Sequence, residues 1–445
     1  MTTSFLQVFI CLLAGIAVII ILTAKFNVHA FFALIIACFV VGLGLQMPVA
    51  NLITAMKEGF GNIMRALGLI IVLGTTLGVL LENTGSTKVM ADFILKKVGE
   101  RNAALAMSIT GFIVGLPVFC DSGYIVLSGL NKSLAKRTGI SIIVMSISLA
   151  SSLYAVHCLI PPHPGATAAA ATIGVNIGKQ ILVGILVAIP AMIIGFLWAN
   201  YAGKKIHTNV IEEEEEIIPL DIAPPSVIKA FLPVIVPIVL IAVQSFFVID
   251  KAVSNAFINV LTSLGDPVIA LSIGVFLAFN CKKSWNKKVV SALLQEAAEK
   301  AGGILIIIGA GGAFGAVIAA THIGEHLSEI ITLSTLGISF PFLLTFVLKT
   351  AQGSSTVAII TAASIVQPLL PALGLASETG KLLCVLSMGA GSMMVSHAND
   401  AYFWVITKFS SLEMKAMLKV YSVATILMGL VTLLTVYILS LTLLK

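Results

Sequence analysis

Charge is what this chain lacks most. Only 10% of its 445 residues are Asp, Glu, Lys or Arg, where a water-soluble domain carries about 25%. With 58% hydrophobic residues and so few polar ones, the chain cannot cover a surface that faces water. A soluble globular fold is excluded, and lipid is the implied solvent. The six cysteines (Cys11, Cys38, Cys120, Cys158, Cys281, Cys384) form no CxxC pair, so neither a disulfide framework nor a zinc site is indicated. There is no HExxH motif and no convincing nucleophile motif, which argues against an intramembrane enzyme. The first apolar run, 5–23, has no basic n-region before it and no obvious small-residue cleavage site, and reads as a span rather than a removed signal peptide. The net charge of +6 sits in loops beside apolar runs, which favours membrane orientation over nucleic-acid binding. No cofactor and no metal site is expected.

What is present is a series of apolar runs: 5–23, 30–46, 62–81, 139–158, 181–200, 229–248, 267–280, 302–320, 380–396 and 418–441. About 20 apolar residues cross a bilayer as a helix. Two further apolar stretches, 103–135 and 339–370, are interrupted by polar tips, Phe119-Cys120-Asp121-Ser122-Gly123 and Ala351-Gln352-Gly353-Ser354-Ser355-Thr356. The stretches 82–97 and 319–331 read as amphipathic connectors at the interface, with Glu82 and Lys88 near headgroups.

The chain also carries a sparse internal repeat. An offset of 237 residues aligns Gly74 and Gly78 with Gly311 and Gly315, Ala33-Leu34 with Ala270-Leu271, and Thr84 with Thr321. His157 and His397 correspond at nearly the same offset. Equivalent loops carry opposite charge bias. Lys96, Lys97, Arg101, Lys132, Lys136 and Arg137 flank the first interrupted stretch, whereas 332–340 and 371–379 have no Lys or Arg. Likewise 47–56 has none, and 281–288 has Lys282, Lys283, Lys287 and Lys288. Opposite bias in equivalent loops is what inverted topology requires under the positive-inside rule.

The expected fold is therefore an all-α polytopic membrane protein with two inverted-topology repeats. It has about 10 full spans, two re-entrant hairpins and two broken helices. The first repeat is 1–202, with hairpin 103–135 and broken helix 139–178; an acidic, proline-containing cytoplasmic linker covers 203–228; the second repeat is 229–445, with hairpin 339–370 and broken helix 380–409. Both termini come out external.

Non-helical backbone survives at membrane depth only against protein or a water-filled cavity. Four places break helices there: the two tips, the segment His157-Cys158-Leu159-Ile160-Pro161-Pro162-His163-Pro164-Gly165, and Ser396-His397-Ala398-Asn399-Asp400. Helix N-termini exposed at such breaks suit an anion. Candidate binding groups are Ser122, Gly123, His157, His163, Lys349, Gln352, Gly353, Ser354, Ser355, Thr356, His397 and Asn399. Gly353 permits close backbone approach, the hydroxyls and amide suit a carboxylate or polyol, and Lys349 could neutralise a carboxylate or stand paired with an acid. Asp121 and Asp400 are intramembrane acids, expected to be paired or to carry a proton. Histidine titrates near neutrality and could relay protons. Arg65 reads as snorkelling to the outer interface, and Cys120 and Cys158 as packing groups.

With these residues assembled, the chain resembles the gluconate permease family over essentially its whole length. The segment from His157 to Gly165 is similar to the family's H-x-x-x-PPHPG piece, and Ser396 to Trp404 to its SH-x-ND-x-x-FW piece. Gly309 to Phe314 and Gly353 to Ala358 match GAGGAF and GS-x-TVA. The resemblance implies a bacterial inner-membrane importer of small hydroxylated monocarboxylates, a proton symporter for gluconate or a related sugar acid. Glycerate and D-serine are alternatives, as is coupling to Na⁺. It further implies a scaffold and a transport unit, two opposed hairpins and a homodimer. Two departures stand out: Asp121-Ser122-Gly123 replaces the family's usual Glu-x-Gly, and Lys349 stands where many members have Arg.

Overall fold

The computed structural model describes all residues except 1–4, 27, 206–223, 248–259, 261, 283, 321–335, 398–399 and 444–445. The acidic run Glu212–Glu216, most of the connector 319–331, Thr321 and Asn399 thus lie outside the described residues. Among the described residues the secondary structure is helical, with no strand. In chain order the helices are α1 (Phe5–Ile20), α2 (Ala30–Gly44), α3 (Val49–Asn83), α4 (Ser86–Val98), α5 (Ala103–Gly115), α6 (Cys120–Thr138), α7 (Ile142–Leu159), α8 (Pro164–Ile173) and α9 (Ile177–Gly203). They continue as α10 (Val227–Phe247), α11 (Pro267–Phe279), α12 (Lys287–Ala319), α13 (Ser339–Gln352), α14 (Ser355–Val366), α15 (Glu378–Met393), α16 (Ala401–Phe409) and α17 (Met414–Leu443).

Six helical segments among the described residues are long and apolar enough to cross a membrane: α3, α9, α10, α12, α17, and α7 with α8 taken across their break. Large apolar side chains such as Leu69, Leu186, Leu197, Phe276 and Leu434 lie exposed on this exterior. In lipid that exposure is favourable rather than a defect.

The two longest helices, α3 and α12, pack against each other along glycines. A Cβ placed on Gly59 would lie 2.3 Å from the carbonyl oxygen of Gly312, and one on Gly312 would lie 2.6 Å from that of Gly59. The ring of Phe60 covers Gly309 at 2.4 Å from where its Cβ would stand. Lipid supplies no hydrophobic drive between helices, so close backbone contact through small residues holds them together. α7 is enclosed by α5, α6, α9 and α15, with 16 of its 18 residues buried. A helix that is apolar on every face belongs inside.

The breaks fall where turn chemistry places them, with small shifts from the sequence reading. In the first hairpin the turn is Leu116–Phe119, so Cys120, Asp121, Ser122 and Gly123 form the first turn of α6 rather than the tip itself. Pro117 occupies that turn and cannot donate a backbone hydrogen bond. In the second hairpin Gly353 adopts φ 81°, a left-handed conformation that glycine takes without a Cβ penalty, and Ser354 caps α14 by accepting from the Val357 amide. The third break is Ile160–His163, with a cis Pro161–Pro162 bond, and the fourth runs from Met394 to Asp400. Glu82 belongs to α3 and not to the connector. It closes the last turn of α3, because the helix runs through Asn83 without interruption. α4 is the amphipathic connector, burying Met90, Ala91, Ile94 and Leu95 while exposing Lys88, Lys96 and Lys97.

Candidate functional site

The four breaks meet in pairs. α8 packs on α14, and α16 packs on α6. A Cβ on Gly165, in the first turn of α8, would lie 3.2 Å from the Cα of Thr356, in the first turn of α14. Two helix N-termini nearly 200 residues apart in the chain therefore almost touch. His157, near the end of α7, spans the same junction: its Nε2 is 3.3 Å from the Thr356 hydroxyl. The imidazole stacks on Tyr154 at 6.4 Å between centroids and 11° between planes.

The N-termini are not equivalent. Ser354 caps α14 and Asp400 caps α16, the latter by accepting from the Tyr402 amide at 3.0 Å. Phe119 before α6 and His163 before α8 give no side-chain cap. The open amides and partial positive charge thus belong to α6 and α8, and an anion is favoured there.

Lys349 is wholly buried, and its Nζ donates to Asp400 Oδ2 at 2.7 Å and to the Gly353 carbonyl at 2.6 Å. Ser396 donates its hydroxyl to the same carboxylate oxygen at 2.5 Å. Of the two options the sequence left for Lys349, the structure shows the standing pair. Its charge is met by Asp400, and the pair ties the second hairpin to the fourth break. Removing two ions from water costs several kcal/mol each, which the short contacts and extra hydrogen bonds offset. Asp121 is within electrostatic reach of Asp400, and its Oδ1 receives the Cys120 thiol at 3.9 Å.

The other predicted residues divide. His163 is 1% exposed and donates from Nε2 to the Gly115 carbonyl at 2.6 Å, which ties the third break to the end of α5. Its ring meets that of His157 edge-on at 5.0 Å. His397 reaches the Thr350 carbonyl through Nε2 at 3.3 Å. Gly123 is buried against Leu153, and Ser122 faces Glu82 of α3. Cys120 and Cys158 are buried, as packing groups would be. Gln352 is the outlier: neither Nε2 nor Oε1 of its buried amide has a hydrogen-bond partner, and the same holds for Nδ1 of His157.

The sequence reading missed the tyrosines. Tyr124, Tyr154, Tyr402 and Tyr421 form a buried cluster beside the ion pair, with Tyr154 stacked on Tyr402 at 5.6 Å and Tyr421 6.1 Å from Tyr402. It also missed a polar chain joining distant segments. Asn131 donates to Ser146, Ser146 to Ser410, and Tyr124 pairs with Ser410. A signal existed. The chain has only six tyrosines, and three of them, Tyr124, Tyr154 and Tyr402, fall in or next to the interrupted segments.

A family model described as GntP family permease matches residues 7–442. The chain is 33% identical over 437 residues to a gluconate permease of Pseudomonas aeruginosa, covering 96% of each. It is 29% identical to the D-serine transporter DsdX of Escherichia coli O6:H1, covering 96% of this chain and 97% of that one. Its fold is similar to the solved structure of MtrF from Neisseria gonorrhoeae, with a TM-score of 0.64 at 16% identity over 88% of this chain and 84% of that one. Buried helix breaks, a polar junction between them and apolar helices long enough to span lipid describe a transporter rather than an enzyme, and the chain belongs to the GntP family of permeases.

Proposed function

We propose that this permease imports a small hydroxylated monocarboxylate, gluconate or a related sugar acid, together with protons across a bacterial inner membrane. One observation carries the reading: the buried Gln352 amide and His157 Nδ1 lack partners at the point where α8 and α14 meet. A buried polar group without a partner costs roughly 1–3 kcal/mol, and a native protein keeps such a cost where a ligand removes it. A sugar acid has the matching chemistry. Its carboxylate suits the open N-termini of α6 and α8, with Ser122 and Gly123 at the first; its hydroxyls suit Gln352, Thr356, His157 and the backbone at Gly353 and Ser354. Ser355 and His397 complete the polar lining in this reading. His163 positions the junction through Gly115. Lys349 and Asp400 supply a charge pair that a proton can open, with Asp121 as a second acid beside it.

The opposite charge bias of equivalent loops supports two inverted repeats, 1–202 and 229–445, with about 10 spans, external termini and the linker 203–228 inside. Rocking or lifting of the hairpin-bearing unit exposes the junction to each side in turn, and the protein works as a homodimer.

Reconstituted protein is expected to take up gluconate faster under an inward proton gradient, and uptake unchanged after collapse of that gradient counts against proton coupling. Replacing sodium by choline at constant pH isolates the sodium-coupled alternative. A thermal-shift panel of gluconate, glycerate and D-serine orders the substrates, because a ligand that binds the native state raises its stability. Gln352→Met is expected to raise the melting temperature of ligand-free protein, since it removes an amide that is buried unpaired at a cost of about 1–3 kcal/mol. It should also abolish most of the gluconate-induced shift. A variant that melts lower and binds normally would remove Gln352 from the site.

A further inference from the structure

Glu82, in the last turn of α3, is an acid that the site at the α8–α14 junction does not use. Gly74, Gly78 and Glu82 are spaced four apart and share one stripe of α3. A Cβ on Gly74 would lie 3.2 Å from Pro162, at the third break, and one on Gly78 would lie 3.1 Å from the Pro117 carbonyl, in the turn of the first hairpin. One turn further along, Glu82 faces Ser122, which stands one turn beyond Val118 on the hairpin side. The stripe therefore runs past both breaks of the first half and ends in a carboxylate beside the open N-terminus of α6.

The charges that face Glu82 are Lys300 and Glu296 of α12, themselves paired at 2.7 Å. Of the other helices packed on α3, α2, α8 and α11 carry no charged side chain; α4 brings Lys88 and Asp92, and α6 brings Asp121 next to Ser122. The position matching Glu82 at the 237-residue offset is Ala319, so only the first half has this acid.

We propose that Glu82 is a coupling carboxylate, placed on α3 so that docking of the first hairpin and proton exchange at Glu82 depend on each other. The inference rests on the proton-coupled reading above. With the hairpin docked, the carboxylate stands opposite Ser122, one turn along α3 from the contact of Gly78 with Pro117. When the hairpin moves along α3, Ser122 leaves and Lys300 remains. Glu82 then holds a proton with different affinity in the two positions, and by linkage a bound proton biases the hairpin's position. Glu82 acts through the hairpin and does not touch substrate, so it is a positioning residue.

The test compares wild type, Glu82→Gln and Glu82→Asp in proteoliposomes. Gluconate accumulation under an imposed proton gradient, its pH profile and the gluconate-induced thermal shift are measured for each. E82Q is expected to keep the thermal shift while gradient-driven accumulation falls about tenfold, the order of a single coupling energy. E82D is expected to retain accumulation with a displaced pH profile. Wild-type accumulation by E82Q overturns the inference, and so does loss of the thermal shift in folded E82Q. Should E82Q fail to fold, a wild-type pH profile in E82D overturns it. A wild-type protein indifferent to the proton gradient rejects the coupled reading itself and this inference with it, a result distinct from failure at Glu82 alone.

Discussion

Lys349→Met is expected to destabilise the protein by about 3–5 kcal/mol and to abolish uptake, because it leaves the buried Asp400 carboxylate without its cation. Asp400→Asn should do the same from the other side, leaving an ammonium sealed from water with the Gly353 carbonyl and an amide for company. The double variant Lys349→Met/Asp400→Asn separates two roles. If the pair only held the structure, removing both charges would restore stability and transport together. In the coupling account it restores much of the stability, since a buried pair contributes little over an uncharged replacement, and restores no proton-driven uptake. Denaturant titration in detergent gives the stability, and uptake by proteoliposomes gives the function. A single Lys349→Met variant with wild-type stability would contradict a structural role for the pair.

Gly59→Ala is expected to destabilise the protein by about 1–3 kcal/mol, the usual cost of overpacking a close contact. The methyl group would stand 2.3 Å from the Gly312 carbonyl oxygen and 2.7 Å from the Ala316 Cβ, so no side-chain rotation relieves it and α3 must part from α12. Gly61 is two residues away on the same helix and has nothing within 4 Å of its would-be Cβ. Gly61→Ala is therefore expected to stabilise by about 0.8–1 kcal/mol through helix propensity alone. Opposite signs at neighbouring glycines, measured by thermal unfolding, distinguish a packing seam from a general intolerance of substitution.

Much of this was legible before any coordinates. Helices were readable because apolar runs of spanning length have few alternatives in lipid. The breaks were readable because tandem proline, Gly353 and polar tips interrupt those runs. What the pattern could not give was partnership. Nothing local to Lys349 says that its ammonium meets Asp400, 51 residues on, rather than a substrate. Glu82 looked like a connector residue because a glutamate after an apolar run usually ends at the headgroups. Only the packing of Gly78 on Pro117 shows that α3 is still beside the hairpin one turn before Glu82. His163 looked like a ligand because of its motif, and its Nε2 proved to be committed to the Gly115 carbonyl. The tyrosine cluster escaped notice because its members come from α6, α7, α16 and α17, and no spacing links them.

The central claim is that a small hydroxylated acid binds where α8 and α14 begin side by side. A structure of the protein with bound gluconate tests it most directly. The account predicts gluconate hydroxyls within hydrogen-bond distance of the Gln352 amide and the Thr356 hydroxyl, with its carboxylate at the open N-terminus of α8 or α6. Gluconate found elsewhere in the molecule, with the Gln352 amide still unpaired, would contradict it.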